Sequence, residues 1–550
     1  MILMALMLFT IMKAQVVPMV LGEKHAMLRM PQDKKYVLLP VQETEEIAAI
    51  AVLDSRNEMV QRINVKLAID RVDYLVPYEL KGARLLDVEF HGDRRQKGAV
   101  SEFVCWKEIK FSDSFDTANR EKFRPIYHHT PVYGWMNDPN GMFYKDGVWH
   151  LYYQWNPYGS QWENMHWGHS TSKDLAHWEA QPMAFEPDWL GSIFSGSCIT
   201  NGNDVVAFYT SAGHHQTQSM AVSKDNGRTF TKYAGNPVLT SDKPDFRDPN
   251  VFWYEATKRW IMILAVGQEM RIYSSPNLKD WTYESSFGKG FGCHEGVWEC
   301  PDLMKLQVRG TDKQKWMLIC NINPGGPFGG SATQYFVGDF DGHRFTCDQK
   351  DTRWMDYGKD HYATVTFDNA PDGRHIALAW MSNWQYANQV PTMQFRSANS
   401  VPRDLDLFEH EGQYYCGVTP SRELDQLRGK KIKRPEQTCE IVVDLKGSST
   451  ITLSNTKGEQ VVLAYDAAAN TFSMDRNKAG VSNFSEAFPA KTVAPVHGDI
   501  RQLRIFVDRC SIEAFDAEGR MAMTNLVFPT EPYNTLKVTN KAKATVYAIK

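Results

Sequence analysis

Five apolar, aromatic-rich runs recur at nearly equal distances along the middle of the chain. They start at Trp149, Val205, Trp260, Trp316 and Ile376, so successive starts lie 56, 55, 56 and 60 residues apart. No 3.6-residue periodicity accompanies the repeat, which argues against a helical solenoid. One short aromatic strand per repeat is typical of propeller blades, so we predict a five-bladed β-propeller over residues 125–405.

Further strand patterns flank this repeat on both sides. Short apolar runs between residues 15 and 110, separated by charged or turn-like stretches, predict a small N-terminal β module. Alternating runs such as residues 439–445 and 503–507 predict a C-terminal β-sandwich over residues 430–550. We therefore predict an all-β protein, with one short helix near Arg422–Leu427. The N-terminal module either braces the propeller or binds carbohydrate, and bracing is the favoured interpretation.

Residues 1–14 are strongly apolar but too few to span a membrane. They match the apolar core of a secretory signal, although a basic start is missing. No cysteine follows at a distance suited to lipid attachment. The pattern therefore predicts a secreted or periplasmic protein without a membrane anchor.

Composition narrows the classes of partner. The 550 residues carry a net charge of −4 without a basic patch, which argues against nucleic acid. Aromatic residues make up 12%, including 16 Trp, and these serve both large β cores and sugar binding. The nine cysteines lack metal-type spacing. We expect no metal, no cofactor and no disulfide framework.

Several polar residues precede the repeated runs at similar distances. In chain order they are Asp138, 11 residues before its run, Ser195 at 10, Asp248 at 12, Glu299 at 17 and Asp360 at 16. An isolated Asp among the turn signals of residues 137–141 is usually a turn residue. In a radial repeat, however, equivalent positions face one axis. The phase therefore predicts one shared site that contains Asp138, Asp248 and Glu299.

Carboxylates in one pocket, without metal ligands or a Ser–His pair, favour cleavage of glycosidic bonds. Glu299 suits the proton donor, because its weakly solvating sequence neighbours should raise its pKa. Asp138, at a tight turn with free N–H groups, suits the ionised nucleophile. Asp248, beside Arg247, suits contacts to sugar hydroxyls. Glu295 lies off the repeat phase and ranks below Glu299.

These residues belong to motifs that resemble glycoside hydrolase family 32, the β-fructosidases. The motifs are WMNDPNG at residues 135–141, YYQWNP at 152–157, WGHS at 167–170, FSGS at 194–197, FRDPN at 246–250, WECPD at 298–302 and VDRCSIEAF at 507–515. The resemblance covers residues 125–550. It implies a retaining mechanism on fructosyl units, with Asp138 as nucleophile, Glu299 as acid/base and Asp248 as transition-state stabiliser.

The resemblance also implies a fructose pocket. Its expected lining is Asn137, Gln154, Trp162, Phe194, Ser195 and Arg247. Trp384 would close the pocket near Glu299, and the alternative for Trp384 is core packing. Cys300 would tune the acid rather than react.

Residues 380–405 resemble levanases and exo-inulinases more than invertases. We therefore expect release of fructose from a β-linked fructan, levan or inulin, with sucrose as a further substrate. The N-terminal module lies outside the main resemblance and is similar to an extra domain of some gut Bacteroides-type fructan enzymes.

Four alternatives remain at this stage. The same residues would serve endo cleavage in an open groove, or transfer of fructose to another sugar. A non-catalytic sugar-binding propeller would be expected to lack one of the three acids. An inverting hydrolase acting on arabinose or xylose would hold its carboxyls about 6.5–9.5 Å apart, against about 5–5.5 Å for a retaining enzyme.

Overall fold

The computed structural model describes residues 17–92, 97–118 and 120–550. Strands account for 52% and helices for 4%, which confirms the predicted all-β class. The signal-like segment 1–14 lies outside the described residues. The helices with described bounds are short. They are the α-helix Val104–Glu108 and the 3-10 helices Val100–Glu102, Pro371–Gly373, Ala387–Gln389 and Arg422–Leu427. The described residues form two compact units. The first contains those of residues 17–118 together with Pro157–Asn164, and the second contains residues 120–156 together with Met165–Lys550.

The first unit contains two antiparallel sheets on one apolar core. Its strands are β1 (Met19–Gly22), β2 (His25–Arg29), β3 (Tyr36–Val41), β4 (Ala48–Leu53), β5 (Met59–Val65), β6 (Tyr74–Glu79), β7 (Leu85–Phe90) and β8 (Lys110–Ser112). They pair in the orders β1-β2-β7-β4-β5 and β6-β3-β8.

Segment Pro157–Asn164 belongs to this first unit through hydrogen bonds. The Ser160 N–H donates to the Tyr74 hydroxyl at 2.9 Å. Asn164 exchanges two bonds of 2.8 Å with the Asn64 backbone, one in each direction.

The second unit begins with five sheets in chain order. Their strands are β9 (Gly134–Lys145), β10 (Val148–Asn156), β11 (His166–Ser172) and β12 (Trp178–Phe185); β13 (Ser192–Asn201), β14 (Asp204–Ala212), β15 (Gln216–Ser223) and β16 (Thr231–Lys232); β17 (Arg247–Tyr254), β18 (Arg259–Val266), β19 (Glu269–Ser275) and β20 (Thr282–Phe287); β21 (Val297–Gln307), β22 (Gln314–Asn323), β23 (Ala332–Phe340), β24 (Phe345–Thr346) and β25 (Arg353–Trp354); and β26 (Tyr362–Thr366), β27 (His375–Trp380), β29 (Arg403–His410) and β30 (Gln413–Pro420). Strand β28 (Phe395–Arg396) returns to pair with β9.

The five recurring runs of the sequence are all strands, namely β10, β14, β18, β22 and β27. Each is the second strand of its own sheet in chain order. Their central positions are buried because both faces of the sheet are covered. The turn expected at residues 137–141 is wrong, because this stretch lies inside the continuous strand β9.

The chain ends in two further sheets that share one core. The strands are β31 (Arg428–Ile432), β32 (Cys439–Asp444), β33 (Ser449–Ser454), β34 (Gln460–Asp466), β35 (Thr471–Lys478), β36 (Lys491–Pro495), β37 (Gln502–Asp508), β38 (Ser511–Asp516), β39 (Ala522–Leu526), β40 (Thr535–Val538) and β41 (Lys543–Ile549). They pair in the orders β31-β41-β32-β37-β38-β39 and β36-β35-β34-β33-β40. Burial alternates along β33 and β34, which places every second side chain in the core.

Buried charges join these last sheets to the earlier part of the second unit. The His128 ring lies 2.8 Å from Asp508 and 2.7 Å from Glu513. Arg403 of β29 pairs with Glu513 at 2.6 Å and with Asp356 at 2.7 Å. These groups compensate one another, as buried charges must.

The His128 cluster predicts a loss of stability at high pH. Burial alone would lower the pKa of His128, but the hydrogen bonds that its ring donates to Asp508 and Glu513 outweigh burial and raise the pKa from 6.5 to about 9. A raised folded-state pKa contributes stability that is complete below pH 6.5 and lost as pH rises through about 9, on the order of 3 kcal/mol. We expect the thermal midpoint of the wild type to exceed that of His128→Gln below pH 6.5, with a smaller gap above pH 9. His177→Gln, at a ring that is 66% exposed, is the control, and its thermal midpoint should stay close to that of the wild type.

Candidate active site

A β-bulge recurs at the same place in the first strand of each of the five sheets. In β9, residues 137–138 together oppose Gln154 of β10. The equivalent pairs of bulged residues are 194–195 in β13, 248–249 in β17, 300–301 in β21 and 363–364 in β26. A bulge leaves a residue unpaired and turns its side chain away from the regular pleat. The polar residues found in phase by sequence therefore lie in or beside these bulges.

Backbone conformation within the bulges is unusual. Asp248, Cys300 and Ala363 adopt φ values of 64°, 44° and 54°, in the left-handed region. Pro249 and Pro301 complete two of the bulges, where the missing N–H costs no ladder bond. Proline within a strand pattern was the available sequence signal for a bulge.

The bulges bring two aspartates and a thiol together. The Ser195 hydroxyl donates to Asp138 Oδ2 at 2.6 Å, and the Asn137 amide donates to Oδ1 at 2.9 Å. The Cys300 Sγ lies 3.4 Å from Asp138 Oδ2 and 3.5 Å from Asp248 Oδ2. The Cys300 N–H also donates to Asp248 at 2.8 Å. Residues from four separate sheets thus surround one small space.

Glu299 joins this group through Arg247. The Arg247 guanidinium donates to Glu299 Oε1 from Nε at 3.1 Å and from Nη2 at 3.0 Å. Arg247 also pairs with Asp245 at 2.7 Å. The Arg247 guanidinium therefore bridges Glu299 and Asp245. The other Glu299 oxygen accepts a short hydrogen bond from the Tyr362 hydroxyl.

Burial dominates the electrostatics of the two aspartates. It raises the pKa of Asp138, as does the charge of Glu299, while the hydrogen bonds from Ser195 and Asn137 oppose the shift. Burial raises the pKa of Asp248 to about 7; Arg247 opposes this shift, and Glu299 adds to it. Burial also raises the pKa of the Cys300 thiol, which therefore stays protonated and serves as a donor.

Trp384 lies against an aromatic group beside the acids. Its ring stacks on Trp135 at 5.7 Å and 28°, and contacts Trp380 at 4.8 Å. Trp384 remains partly exposed, whereas the other two rings are fully buried. Trp135 in turn donates to Asn137 at 2.8 Å, so the ring is connected to the partner of Asp138.

Gln154 and Phe194 lie at the bulges, whereas Trp162 and two further acids lie elsewhere. Gln154 is buried and donates to the Ile193 carbonyl at 3.0 Å, next to partly exposed Phe194. Trp162 belongs to the first unit, in segment Pro157–Asn164, with 42% of its surface exposed. Asp360, although in phase, pairs with Arg476 instead of joining the three acids. Glu295 is exposed.

Sequence reasoning missed Tyr362. It lies in β26, the first strand of the fifth sheet, and its hydroxyl contacts Glu299. Tyr362 precedes the run at Ile376 by 14 residues, and the in-phase polar residues precede their runs by 10 to 17 residues. A search at the same spacing for uncharged polar residues would therefore have included Tyr362.

One cavity of about 310 Å³ is bordered by the first strands of all five sheets. Its lining includes Pro139, Ser195, Asp248, Cys300 and Thr366, whereas Asp138, Glu299 and Trp384 do not line it. The cavity therefore shares residues with the group of acids but does not coincide with the expected fructose pocket. Among the described residues, no group of three or more His, Cys, Asp or Glu side chains could hold a metal ion. Nor does that part of the chain contain a helix of the length and apolarity needed to cross a membrane.

Family models match most of the chain. Models for the N-terminal and C-terminal domains of glycosyl hydrolases family 32 match residues 128–417 and 415–550. A model for a domain of unknown function, DUF4980, matches residues 22–127.

Curated relatives and solved structures agree with these matches. A levanase of Bacillus subtilis is 44% identical over 74% of this chain and 67% of its own length. An extracellular exo-inulinase of Aspergillus niger is 35% identical over 74% of this chain and 90% of its own. The exo-inulinase structure of Aspergillus awamori covers 79% of this chain and 99% of its own, with a TM-score of 0.72 and 31% identity. A fructofuranosidase of Schwanniomyces occidentalis complexed with fructose gives the same coverage, a TM-score of 0.71 and 34% identity.

The buried carboxyl of Asp248 gives a direct test of this geometry. We expect isotope-edited infrared spectroscopy of the empty site to detect a carboxyl that titrates near pH 7 in the wild type and is absent in Asp248→Asn. Asp302→Asn is the matched control, because burial raises the pKa of Asp302 to about 6. That variant should lose the lower titration and keep the one near pH 7. Persistence of the upper titration in Asp248→Asn would contradict the assignment.

Proposed function

Because the chain belongs to glycoside hydrolase family 32, we propose that it releases fructose from β-linked fructans, and from sucrose, with retention of configuration. The observation that carries this proposal is the meeting of Asp138, Asp248 and Glu299 through repeated bulges. All three acids are present, which disfavours a non-catalytic sugar-binding protein.

We propose that the five sheets are the blades of a β-propeller and that the last two sheets form a β-sandwich. The shared cavity bordered by all five first strands supports the radial arrangement. The common core of the last two sheets supports the sandwich. The proposed domains are 15–110, 125–405 and 430–550.

Asp138 is the proposed nucleophile. Its carboxylate attacks the anomeric carbon of the fructosyl unit, and the glycosidic C–O bond breaks as the new ester bond forms. The donors Ser195 and Asn137 favour the ionised form and fix the direction of the two oxygens. The product of this step is a covalent fructosyl-enzyme.

Glu299 is the proposed acid/base. Its proton passes to the leaving glycosidic oxygen in the first step; in the second, the carboxylate takes a proton from the water that attacks the anomeric carbon and breaks the ester. Arg247 and Tyr362 hold this carboxyl through separate oxygens. Both contacts orient Glu299 while it alternates between its two protonation states.

Asp248 is the proposed stabiliser of the transition state. Held by the Cys300 N–H, its carboxyl accepts hydrogen bonds from the sugar as positive charge develops on the ring. The proposed pocket around the sugar consists of Asn137, Gln154, Phe194, Ser195, Arg247 and Trp384. Trp162, which belongs to the first unit, stays a prediction from the sequence.

The substrate and location are proposed from the relatives. Their names are levanase and extracellular exo-inulinase, which supports a fructan substrate and a secreted or periplasmic protein. The apolar segment 1–14 agrees with export.

The product profile on levan, inulin and sucrose, sampled early, tests this function. We expect free fructose from all three, and the relative rates identify the preferred linkage. A ladder of oligosaccharides would assign endo cleavage, and growth of the chains would assign transfer. The absence of any product from the three substrates would contradict the proposal.

Glu299→Ala tests the assigned acid/base. We expect turnover of inulin to fall by about 10²–10⁴-fold, as for other general acids, with substrate binding largely retained. Glu295→Ala is the matched control, since this exposed carboxylate lies only four residues away, and its turnover should be unchanged. Near-normal hydrolysis by Glu299→Ala would overturn the assignment.

A further inference from the structure

We propose that Arg476, in the C-terminal sheets, is a positioning residue for substrate binding. Together with Asp360 and Tyr386 it fixes the segment that carries Trp384. This inference rests on the proposed function, because it takes Trp384 as part of the fructose pocket. It gives the C-terminal sheets a role in substrate affinity as well as in stability.

Arg476 of β35 is fully buried, and all its nitrogens have partners. Nη1 donates to Asp360 Oδ2 at 2.5 Å and to the Leu526 carbonyl at 2.9 Å. Nε donates to the Phe488 carbonyl at 2.9 Å, and the guanidinium lies 3.9 Å from the centre of the Phe488 ring. Nη2 donates to the Tyr386 hydroxyl at 2.9 Å. The Arg476 guanidinium thus reaches beyond its own sheet to Asp360 and Tyr386, which lie between β25 and β28 in the chain.

Asp360 and Tyr386 complete a closed triangle with Arg476. The Tyr386 hydroxyl donates to Asp360 Oδ1 at 2.5 Å while it accepts from Arg476. Oδ2 of Asp360 accepts from Arg476 and from the Leu526 N–H at 2.8 Å. Both Asp360 and Tyr386 are buried. Each member therefore has a single compatible position for its polar end.

The triangle anchors one end of residues 381–387. The Tyr386 N–H donates to the Asn383 carbonyl at 3.1 Å, which closes a turn around Trp384. Asn383 is held by the Lys359 carbonyl at 2.9 Å, one residue before Asp360. The Trp384 N–H donates to the Ser331 hydroxyl at 3.1 Å. The turn that carries Trp384 is therefore fastened on both sides of the indole.

Trp384 and Asp360 are each connected to one of the proposed catalytic carboxylates, Asp138 and Glu299 respectively. Trp384 stacks on Trp135, which donates to Asn137, the partner of Asp138. On the other side, Asp360 lies two residues before Tyr362, whose hydroxyl contacts Glu299.

A buried ion pair contributes little net stability compared with apolar side chains of similar size, although removing one partner alone is costly. The best-supported role of a buried ion pair is to favour one arrangement of the groups around it over others. We infer that the Arg476–Asp360 pair selects the position of Tyr386, and through it the position of Trp384.

The test therefore removes both charges together, in Arg476→Met with Asp360→Asn. We expect KM for sucrose and inulin to rise about 10-fold, with a smaller change in kcat, because a pocket side chain displaced by about 1 Å weakens productive binding. The fructose-induced change in tryptophan fluorescence should shift to correspondingly higher fructose concentrations. Arg504→Met is the control: Arg504 pairs with buried Glu440 in the C-terminal sheets, so its KM should equal that of the wild type.

Tyr386→Phe provides a second, milder variant. It keeps both charges and removes only the hydroxyl that joins them to the turn. We expect KM to rise in the same direction by a smaller factor. This variant also decides the question if the double replacement does not fold.

A double-mutant cycle with Trp384→Ala separates positioning from general stability. If Arg476 acts through Trp384, the charge-neutral replacement will raise KM little further once the indole is absent. An unchanged KM per folded molecule in both Arg476/Asp360 and Tyr386 variants, or full additivity with Trp384→Ala, would overturn the inference. These outcomes differ from failure of the proposed function, in which the wild type itself would release no fructose.

Discussion

Carboxylates can share a small buried space only if their mutual repulsion and loss of hydration are offset. Arg247 supplies the positive charge, and the hydroxyls of Ser195 and Tyr362 supply donors. The thiol of Cys300 touches both aspartates and stays neutral, so it separates them without adding charge. Each of these four side chains thus offsets part of the cost of burying the carboxylates together.

The recurrent bulge is the backbone feature that brings the carboxylates and their hydrogen-bond donors to one place. A regular strand alternates its side chains between two faces, so neighbouring residues could not both reach the site. Two residues opposing one break this alternation at the same place in five successive sheets. The distortion is local, because each first strand forms antiparallel pairs with its second strand on both sides of it.

Much of this arrangement was predictable from the chain. The spacing of the aromatic runs predicted five strands, and each of them is the second strand of its sheet. The phase of the polar residues predicted a shared site for Asp138, Asp248 and Glu299. The phase could not distinguish Asp360, because its pairing depends on Arg476, 116 positions later in the chain. Turn signals around Asp138 were misread, since Asn, Pro and Gly suit a bulge inside a strand as well as a turn between strands. The direction of the Arg247 guanidinium depends on Asp245 and on Glu299, and Glu299 lies 52 positions later in the chain, so the local sequence around Arg247 does not report that contact.

Segment Pro157–Asn164 has a consequence for synthesis on the ribosome. It lies within the hairpin between β10 and β11 but makes its hydrogen bonds with residues of the first unit, Asn64 and Tyr74. When residue 118 emerges, the first unit therefore still lacks one of its pieces. Its last contacts form only after β9 and β10 have been translated. The first unit therefore completes its folding after synthesis of the second unit has begun.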